Sequence, residues 1–439
     1  MLVFVTHANH LYSDRKQVQK MQPYPPLQTL MGAAALRAGG VEVVFFDATF
    51  DCDFTAALDR VRPDALAVCE DNFNFLTKMC LEPNRALALE MAHAARERGI
   101  SALINSSDAT DNPGVYLSGG FDVVIQGELE DALVEICAAG RPWPRGTFRN
   151  PALISDLDRL PLPTWDLIDL EPYRRAWKQA HGYFSMNLVS SRGCPYRCNW
   201  CAKPIYGSSY RYHSPDRVAS EMERLKALCR PDQIWFADDI FGLSAKWTRE
   251  FAACVERRGA RIPFRIQSRC DLMTRDTVEA LARAGCAEVW MGAESGSQRV
   301  LDAMEKGIRV AQIDQARENL RRHGIRACLF LQFGYLGEEW EDIESTVQMV
   351  RRVQPDDIGV SVSYPMPKTR FYNIVKEQVG PKANWADSGE LAQMFRSQLP
   401  AEFYRALADA LHLEVRHTGN NDDLGHAWEK VGSLRCASC

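Results

Sequence analysis

The 439-residue sequence lacks any apolar run near the ~20 residues that a membrane helix needs, so no membrane span is expected. It lacks a fixed-period repeat and any low-complexity tract, which excludes a fibrous array. It also lacks a strong excess of one charge: 52 Lys and Arg against 57 Asp and Glu leave a net of −5. A protein that coats nucleic acid or clings to an anionic membrane needs a basic balance, so both classes are excluded. Positive charge is scarcest in residues 1–140, which hold 10 Lys and Arg against 19 Asp and Glu, and a phosphate backbone is no partner for that part. Met1-Leu2-Val3-Phe4-Val5 runs into Thr6-His7 with no basic residues ahead of it. It reads as a first buried strand rather than a signal peptide, and a cytoplasmic protein is expected. Fourteen cysteines without an export signal are then reduced thiols or metal ligands, not a disulfide framework.

What is present describes a folded α/β protein. Hydrophobic residues at 46% and charged residues at 25% argue against disorder, and the length allows about three units. In residues 1–140, short apolar runs at 2–5, 41–46, 65–68, 102–104 and 123–125 read as strands. Helical patterns at 27–38, 83–98 and 130–139 separate them, the first closed by Gly39-Gly40. Continuous apolar strands alternating with helices predict a Rossmann-like (flavodoxin-like) parallel sheet covered on both faces. Ligands on such sheets sit beyond the carboxyl ends of the strands, here residues 6–10, 47–49, 69–74, 105–110 and Gly127-Glu128.

Residues 141–180 crowd Pro142, Pro144, Pro151, Pro161, Pro163 and Pro172 around Trp143, Trp165 and Trp177. Proline removes helix and sheet options, so the segment reads as a linker whose aromatics pack down. A second alternation fills residues 181–375, with strands expected at 186–190, 233–236, 264–267, 288–291, 327–333 and 358–362. Helices are expected at 215–228, 245–257, 275–283, 310–322 and 340–352. Six strand–helix units predict a partial (β/α)6 barrel of TIM type with its site at the carboxyl ends of the strands. Residues 376–439 are polar and mixed, and carry no motif.

Directly after the second alternation's first strand comes Ser191-Arg192-Gly193-Cys194-Pro195-Tyr196-Arg197-Cys198-Asn199-Trp200-Cys201. Three thiolates at this spacing wrap one face of a cubane iron–sulfur cluster from a single loop and leave the fourth iron open. A zinc knuckle wants a fourth ligand and a second Cys/His pair at short spacing, and offers only His213, twelve residues on. A thioredoxin-type pair leaves the third cysteine without a role.

On these residues the sequence resembles the radical S-adenosylmethionine (SAM) superfamily. The C-x3-C-x-aromatic-C loop has Trp200 in its aromatic slot. The later strands end in Phe236-Ala237-Asp238-Asp239, Gln267-Ser268-Arg269, Gly292-Ala293-Glu294-Ser295-Gly296-Ser297 and Gly334-Tyr335-Leu336-Gly337-Glu338. The resemblance implies a 4Fe–4S cluster on Cys194, Cys198 and Cys201, with SAM chelating the open iron. One electron then cleaves SAM, and the resulting 5′-deoxyadenosyl radical takes a hydrogen atom from substrate. It further implies that Asp238 or Asp239 accepts from the SAM ammonium and that Arg269 pairs with its carboxylate. Glu294, with Ser295 beside it, would meet the ribose, and Trp200 with the backbone from Gly334 to Gly337 the adenine. A small-molecule substrate and an electron donor such as a flavodoxin or ferredoxin go with this chemistry. Residue by residue there are plainer roles: Asp238-Asp239 as a cap for a helix near Ala245, Glu294-Ser295 as a cap near Arg299, Arg269 in a surface ion pair, Trp200 in a core.

The α/β domain ahead of the barrel resembles the cobalamin-dependent group of that superfamily, a likeness covering about residues 1–375. Pro25-Pro26-Leu27, Gly127-Glu128, Leu160-Pro161-Leu162-Pro163 and Glu294-Ser295-Gly296-Ser297-Gln298-Arg299-Val300-Leu301 carry it. It implies cobalamin as a methyl carrier and methylation of an unactivated centre. The alternative is a cobalamin-free front domain and hydrogen abstraction, cyclisation or rearrangement. Thr6, Cys69, Ser106, Ser107, Gly127 and Glu128 are the implied cobalamin contacts. The chain has no Asp-x-His-x-x-Gly to supply a lower cobalt ligand. Asn105-Ser106-Ser107-Asp108 stands where the group has a Gly-Gly pair that lets a flat ring approach the backbone. His7 and His10 are expected in polar loop roles, and Cys69 has the plainer role of a small core residue. Cys52, Cys80, Cys137, Cys229, Cys254, Cys270, Cys286 and Cys328 are expected in the core, and Cys436 and Cys439 in a frayed tail. No motif singles out a catalytic residue or the substrate.

Overall fold

The computed structural model describes residues 1–79, 81–140, 142–143, 145–149, 153–380, 384–416 and 421–436; Cys80, Pro144, Pro151 and Cys439 lie outside the described residues. The chain divides into two compact units. One is Met1–Cys194 with Lys203–Asp238 and Asn384–Glu390, the other Pro195–Ala202 with Asp239–Ala383 and Leu391–Cys439.

The first unit opens with a six-stranded parallel sheet. Its strands are β1 (Leu2–Thr6), β2 (Glu42–Phe45), β3 (Ala65–Cys69), β4 (Ser101–Asn105), β5 (Val123–Gln126) and β6 (Gly146–Arg149), in the order β2-β1-β3-β4-β5-β6. This is the flavodoxin-like order with one strand added, and the direction of strand succession reverses between β1 and β3. The period of two sorts the side chains. Phe4, Leu66, Val68, Ile104 and Val124 enter a core with Leu58, Met91 and Ala95, while Val3, Val5, Ala67, Leu103 and Ile125 enter another with Leu36 and Leu133. With helices on both faces, the interiors of β1, β3, β4 and β5 are apolar on both sides, which is why the runs read as continuous. Truncating a fully buried residue such as Leu66 to Ala would cost ~2–5 kcal/mol.

The proline-crowded stretch departs from a featureless linker, since it supplies β6 and the helix Glu171–His181. A strand at a sheet edge needs one partner only, and β6 pairs with β5 between the flanking prolines. The helix holds Pro172 in its first turn, where the missing N–H has no intrahelical acceptor to lose. The aromatics do pack down: Trp143 and Trp177 are buried, and Trp177 Nε1 donates to Pro23 O at 2.7 Å.

The same unit continues with β7 (Ser185–Leu188), the short antiparallel pair β8 (Ser191–Arg192) and β9 (Arg211–Tyr212), and β10 (Gln233–Phe236), which runs parallel to β7. The second unit carries β11 (Phe264–Ser268), β12 (Cys286–Glu294), β13 (Arg326–Phe333) and β14 (Asp357–Val362), each parallel to the next. Helices such as Arg275–Ala284 and Trp340–Val353 follow the strands, and Thr274 caps the first of them by accepting from Thr277 N–H. β7 and β10–β14 are the six parallel strands of the partial barrel. Residues 376–439 are less irregular than their composition suggests. Phe403, Leu407 and Leu411, four apart, bury one stripe of the helix Ala401–Arg416, and the helix Asn421–Cys436 follows. Among the described residues no helix is long and apolar enough to cross a membrane.

Candidate functional site

In the first unit the carboxyl ends of β1, β3, β4 and β5 converge through polar side chains. Asn72 Nδ2 donates to Asn105 Oδ1 at 3.1 Å, Ser107 Oγ donates to Asn72 Oδ1 at 3.1 Å, and Asn105 Nδ2 donates to the carbonyls of Ile125 and Gly127. Thr6 donates its hydroxyl to Phe46 O. Ser106 caps the short helix Ser107–Asp111 by accepting from Ala109 N–H, so the serines at the Gly-Gly position begin a helix. Cys69 is fully buried within the apolar core, and burial raises its thiol well above the ordinary range. His7 pairs with Asp47, and His10 bonds to Ala48 O, both loop roles. Glu70 accepts from Ala8 N–H through Oε1 while its Oε2 is buried without a partner, and burial lifts its pKa to about 7. Gln28 Nε2 is a second buried atom there without a partner.

Glu128 is committed to protein. Its carboxylate accepts from Arg211 Nη1 at 2.7 Å, from Arg192 Nη1 at 3.2 Å and from Ile154 N–H at 2.7 Å. Arg192 also closes a fork on Glu130 at 2.6 and 3.0 Å. Arg192 precedes Gly193-Cys194. At Gly193, φ is +78°, and a Cβ would lie 2.4 Å from Ser209 O. Cys194 N–H points to Gly207 O at 3.4 Å, and Lys203 Nζ donates to Cys194 O at 2.8 Å. Asp238 accepts from Ser190 N–H, Ser190 Oγ and Ser191 Oγ, which ties the end of β10 to the end of β7. His213 gives Nδ1 to Asp158 at 3.1 Å, and burial lowers its pKa to about 4. Among the described residues no group of three or more His, Cys, Asp and Glu side chains is already set around one metal ion.

In the second unit Asn199 pins the loop of Cys198 and Cys201. Its N–H donates to Met304 O and its side chain meets Ala303 O and the Tyr335 hydroxyl. Cys198 and Cys201 are half-buried, as Cys194 is in its own unit. Trp200 packs on the apolar cluster of Val300, Met304, Tyr335 and Phe371, and its Nε1 is buried without a partner. The Arg269 guanidinium lies 3.6 Å from the Tyr196 ring centre. It forks onto Asp271 at 2.9 and 3.2 Å and donates to Lys306 O, so its donors are engaged within the protein. Lys306 Nζ donates to Glu294 Oε1 at 2.8 Å. Burial works against both cations, but Asp271 holds the pKa of Arg269 above its ordinary value and Glu294 does the same for Lys306.

The end of β13 forms a turn in which Glu338 accepts from Gly334 N–H and Gln393 donates to Gly334 O at 2.6 Å. Burial lifts Glu338 to about 8, and its Oε1 is buried without a partner. Gly337 is exposed. Ser295 bonds the Thr346 hydroxyl at 3.1 Å and accepts from Ser297 N–H. The plainer capping roles go elsewhere, since Ser244 caps the helix at Ala245 and Ser297 the helix at Gln298. Asp239, next to the engaged Asp238, is half-buried. Lys306, Asp271, Gln393, Arg192 and Arg211 were not singled out by the sequence. Their partners lie from two to 83 positions away, and no local spacing announces them.

The Radical SAM superfamily model matches residues 188–350. An uncharacterized methyltransferase of Pyrococcus horikoshii is 28% identical over 267 residues, 57% of this chain and 57% of that protein, so the chain matches little more than half the length of this relative. Hopanoid C-3 methylase of Methylococcus capsulatus is 25% identical over 407 residues, 86% of this chain and 73% of that one. The solved structure of the radical SAM methyltransferase TsrM from Kitasatospora setae, with cobalamin and an iron–sulfur cluster bound, is similar in fold. Its TM-score is 0.69 at 21% identity, covering 86% of this chain and 75% of that chain. Residues 188–350 of this chain are therefore similar to the radical SAM superfamily.

Proposed function

We propose that this protein is a cobalamin-dependent radical SAM methyltransferase that modifies an unactivated centre of a small molecule. The observation that carries the reading is the loop of Cys194, Cys198 and Cys201, three half-buried thiols at the start of a radical SAM domain that follows a flavodoxin-like sheet. A soft, all-thiolate donor set with three members suits a 4Fe–4S cluster with one open iron. When bound, the cluster supplies an electron to SAM and cobalamin supplies a methyl carrier.

The chain's own residues orient these groups. Asp238 or Asp239 receives the SAM ammonium, and Asp238 also joins the ends of β7 and β10. Arg269 and Lys306, each already paired with a carboxylate (Asp271 and Glu294), supply the positive charge for the SAM carboxylate, and Arg269 also steadies Tyr196. Glu294 and Ser295 face the ribose. Trp200, with its buried partnerless Nε1, and the Gly334 to Gly337 turn hold the adenine. In the front domain an amide-rimmed corrin fits a strand-end face that carries Asn72, Asn105 and Ser107 and holds two partnerless buried atoms, Gln28 Nε2 and Glu70 Oε2. Thr6, Ser106, Ser107 and Gly127 border that face. Residues 1–140 form this front domain, 141–180 the connection, 181–375 the radical SAM domain and 376–439 a closing segment. A reducing cytoplasm with a flavodoxin or ferredoxin as electron donor suits the many thiols, and nucleic acid has no part.

The test is anaerobic incubation with SAM and a reductant, followed by chromatography. The reading expects both 5′-deoxyadenosine and S-adenosylhomocysteine from the wild type, and neither from Cys198→Ala. Deoxyadenosine alone would replace methylation by hydrogen abstraction, cyclisation or rearrangement. Absence of both products from the wild type would overturn the reading.

A further inference from the structure

Four buried charges in the first unit form a closed network: Glu128 at the turn after β5, Glu130 at the start of the helix Glu130–Ala138, Arg192 on β8 and Arg211 on β9. Arg192 and Glu130 are each 1% exposed. Two carboxylates and two guanidiniums balance, and the Arg192 guanidinium also lies 5.2 Å from the ring centre of Tyr206 and 5.8 Å from that of Phe73. Arg192 Nε and Arg211 Nε are buried without partners, so the network is not built for maximal hydrogen bonding. Buried ion pairs add little net stability over apolar residues of the same volume, so stability alone does not account for four charges here. Their placement does. At one end they grip the Gly127–Glu130 turn, where the front sheet presents its ligand face. At the other, Arg192 leads directly into Gly193-Cys194, where the positive φ and the crowding by Ser209 O, Tyr206 O and Gly207 O leave the backbone one path. Arg211 reaches the same loop by donating to Tyr206 O.

We propose that the Glu128–Arg192–Glu130–Arg211 network is a positioning device that links the Gly127–Glu130 turn to the Cys194 loop, so that a corrinoid on the front sheet and a cluster on Cys194 favour each other's binding. The inference rests on the function proposed above and adds a coupling that neither cofactor site requires by itself. By linkage the effect is reciprocal, so it can be read from either side.

Hydroxocobalamin is titrated anaerobically into the full chain with and without its reconstituted cluster, and the ratio of the two dissociation constants measures the link. Iron content and far-ultraviolet circular dichroism are checked for each protein. In the wild type, binding about tenfold tighter with the cluster present is expected. Glu130→Gln and Arg192→Met should bring the ratio close to one, while Arg192→Lys, which keeps the charge without the fork, should retain part of it. If the wild type binds both cofactors with a ratio of one, or if the variants keep the full ratio, the link is overturned and the function stands. If the wild type loads its cluster but never binds the corrinoid, the cobalamin part of the function falls and the link falls with it.

Discussion

Lys306 donates to Glu294 at 2.8 Å across a space that exists because residue 292 is glycine. A Cβ at Gly292 would lie 2.5 Å from both Glu294 Oε1 and Lys306 Nζ. Glu294 itself has a φ of +61°, in the left-handed region that side-chain-bearing residues seldom occupy. The ion pair thus holds a strained backbone at the end of β12, where strain of this kind marks functional positions.

Gly292→Ala should push the ends of both side chains aside without removing either charge. Overpacking of this kind costs ~1–3 kcal/mol, so urea unfolding should show a loss of that order. Calorimetry should show SAM binding weakened about tenfold or more, from displacement of Glu294. Unchanged stability would mean that the added carbon meets no crowding.

Gly193→Ala should cost the cluster and leave the fold. Its Cβ would meet the Ser209 carbonyl, which is backbone and cannot swing aside, at a φ of +78°. Gly207→Ala is the control: φ there is +65°, but nothing lies within 4 Å of the added carbon, so only ~1–2 kcal/mol of conformational strain is expected. Iron per chain after reconstitution should fall at least fivefold in the first variant, by analogy with other displaced ligand loops, and stay near wild type in the second. Equal iron in both would contradict the role given to the loop.

Stability should fall as pH rises from about 4.5 to 8. Burial raises Glu338 from its ordinary 4.5 to about 8, Glu70 to about 7 and Asp71 from 3.8 to about 6. Across that window Glu338, Glu70 and Asp71 keep protons that the unfolded chain has released, which outweighs the opposite contribution of buried His213, lowered from 6.5 to about 4, and stability then declines with pH. Glu338→Gln should remove its share, ~4 kcal/mol at pH 8 and nearly nothing at pH 4. Urea midpoints across the range check this; a variant with the wild-type slope would contradict it.

The elements most legible in the sequence are those with local signals. The helix Leu27–Ala38 starts behind Pro26 and stops before Gly39-Gly40, and β10 carries the apolar Ile234-Trp235-Phe236, so both have the expected limits. The cysteine loop was legible because its three thiols sit within eight residues. The strand in the proline-rich stretch was not, because an edge position tolerates what a central strand does not. Nor were the partners of the site residues. Glu128 meets Arg211 83 positions away and Arg192 meets Glu130 62 away, pairings that only the fold creates. Arg269 shows the same limit in reverse. Its type and place suit a bidentate carboxylate partner, and the structure supplies one from within, Asp271, two residues on.

The most direct test of the account is visible and electron paramagnetic resonance spectroscopy after anaerobic reconstitution with iron, sulfide and hydroxocobalamin and removal of unbound ligand. The account predicts a 4Fe–4S signal together with cobalamin bands near one per chain, and loss of the cluster alone in Cys198→Ala. A cluster that survives in Cys198→Ala, or a wild-type chain without cobalamin bands, would contradict it.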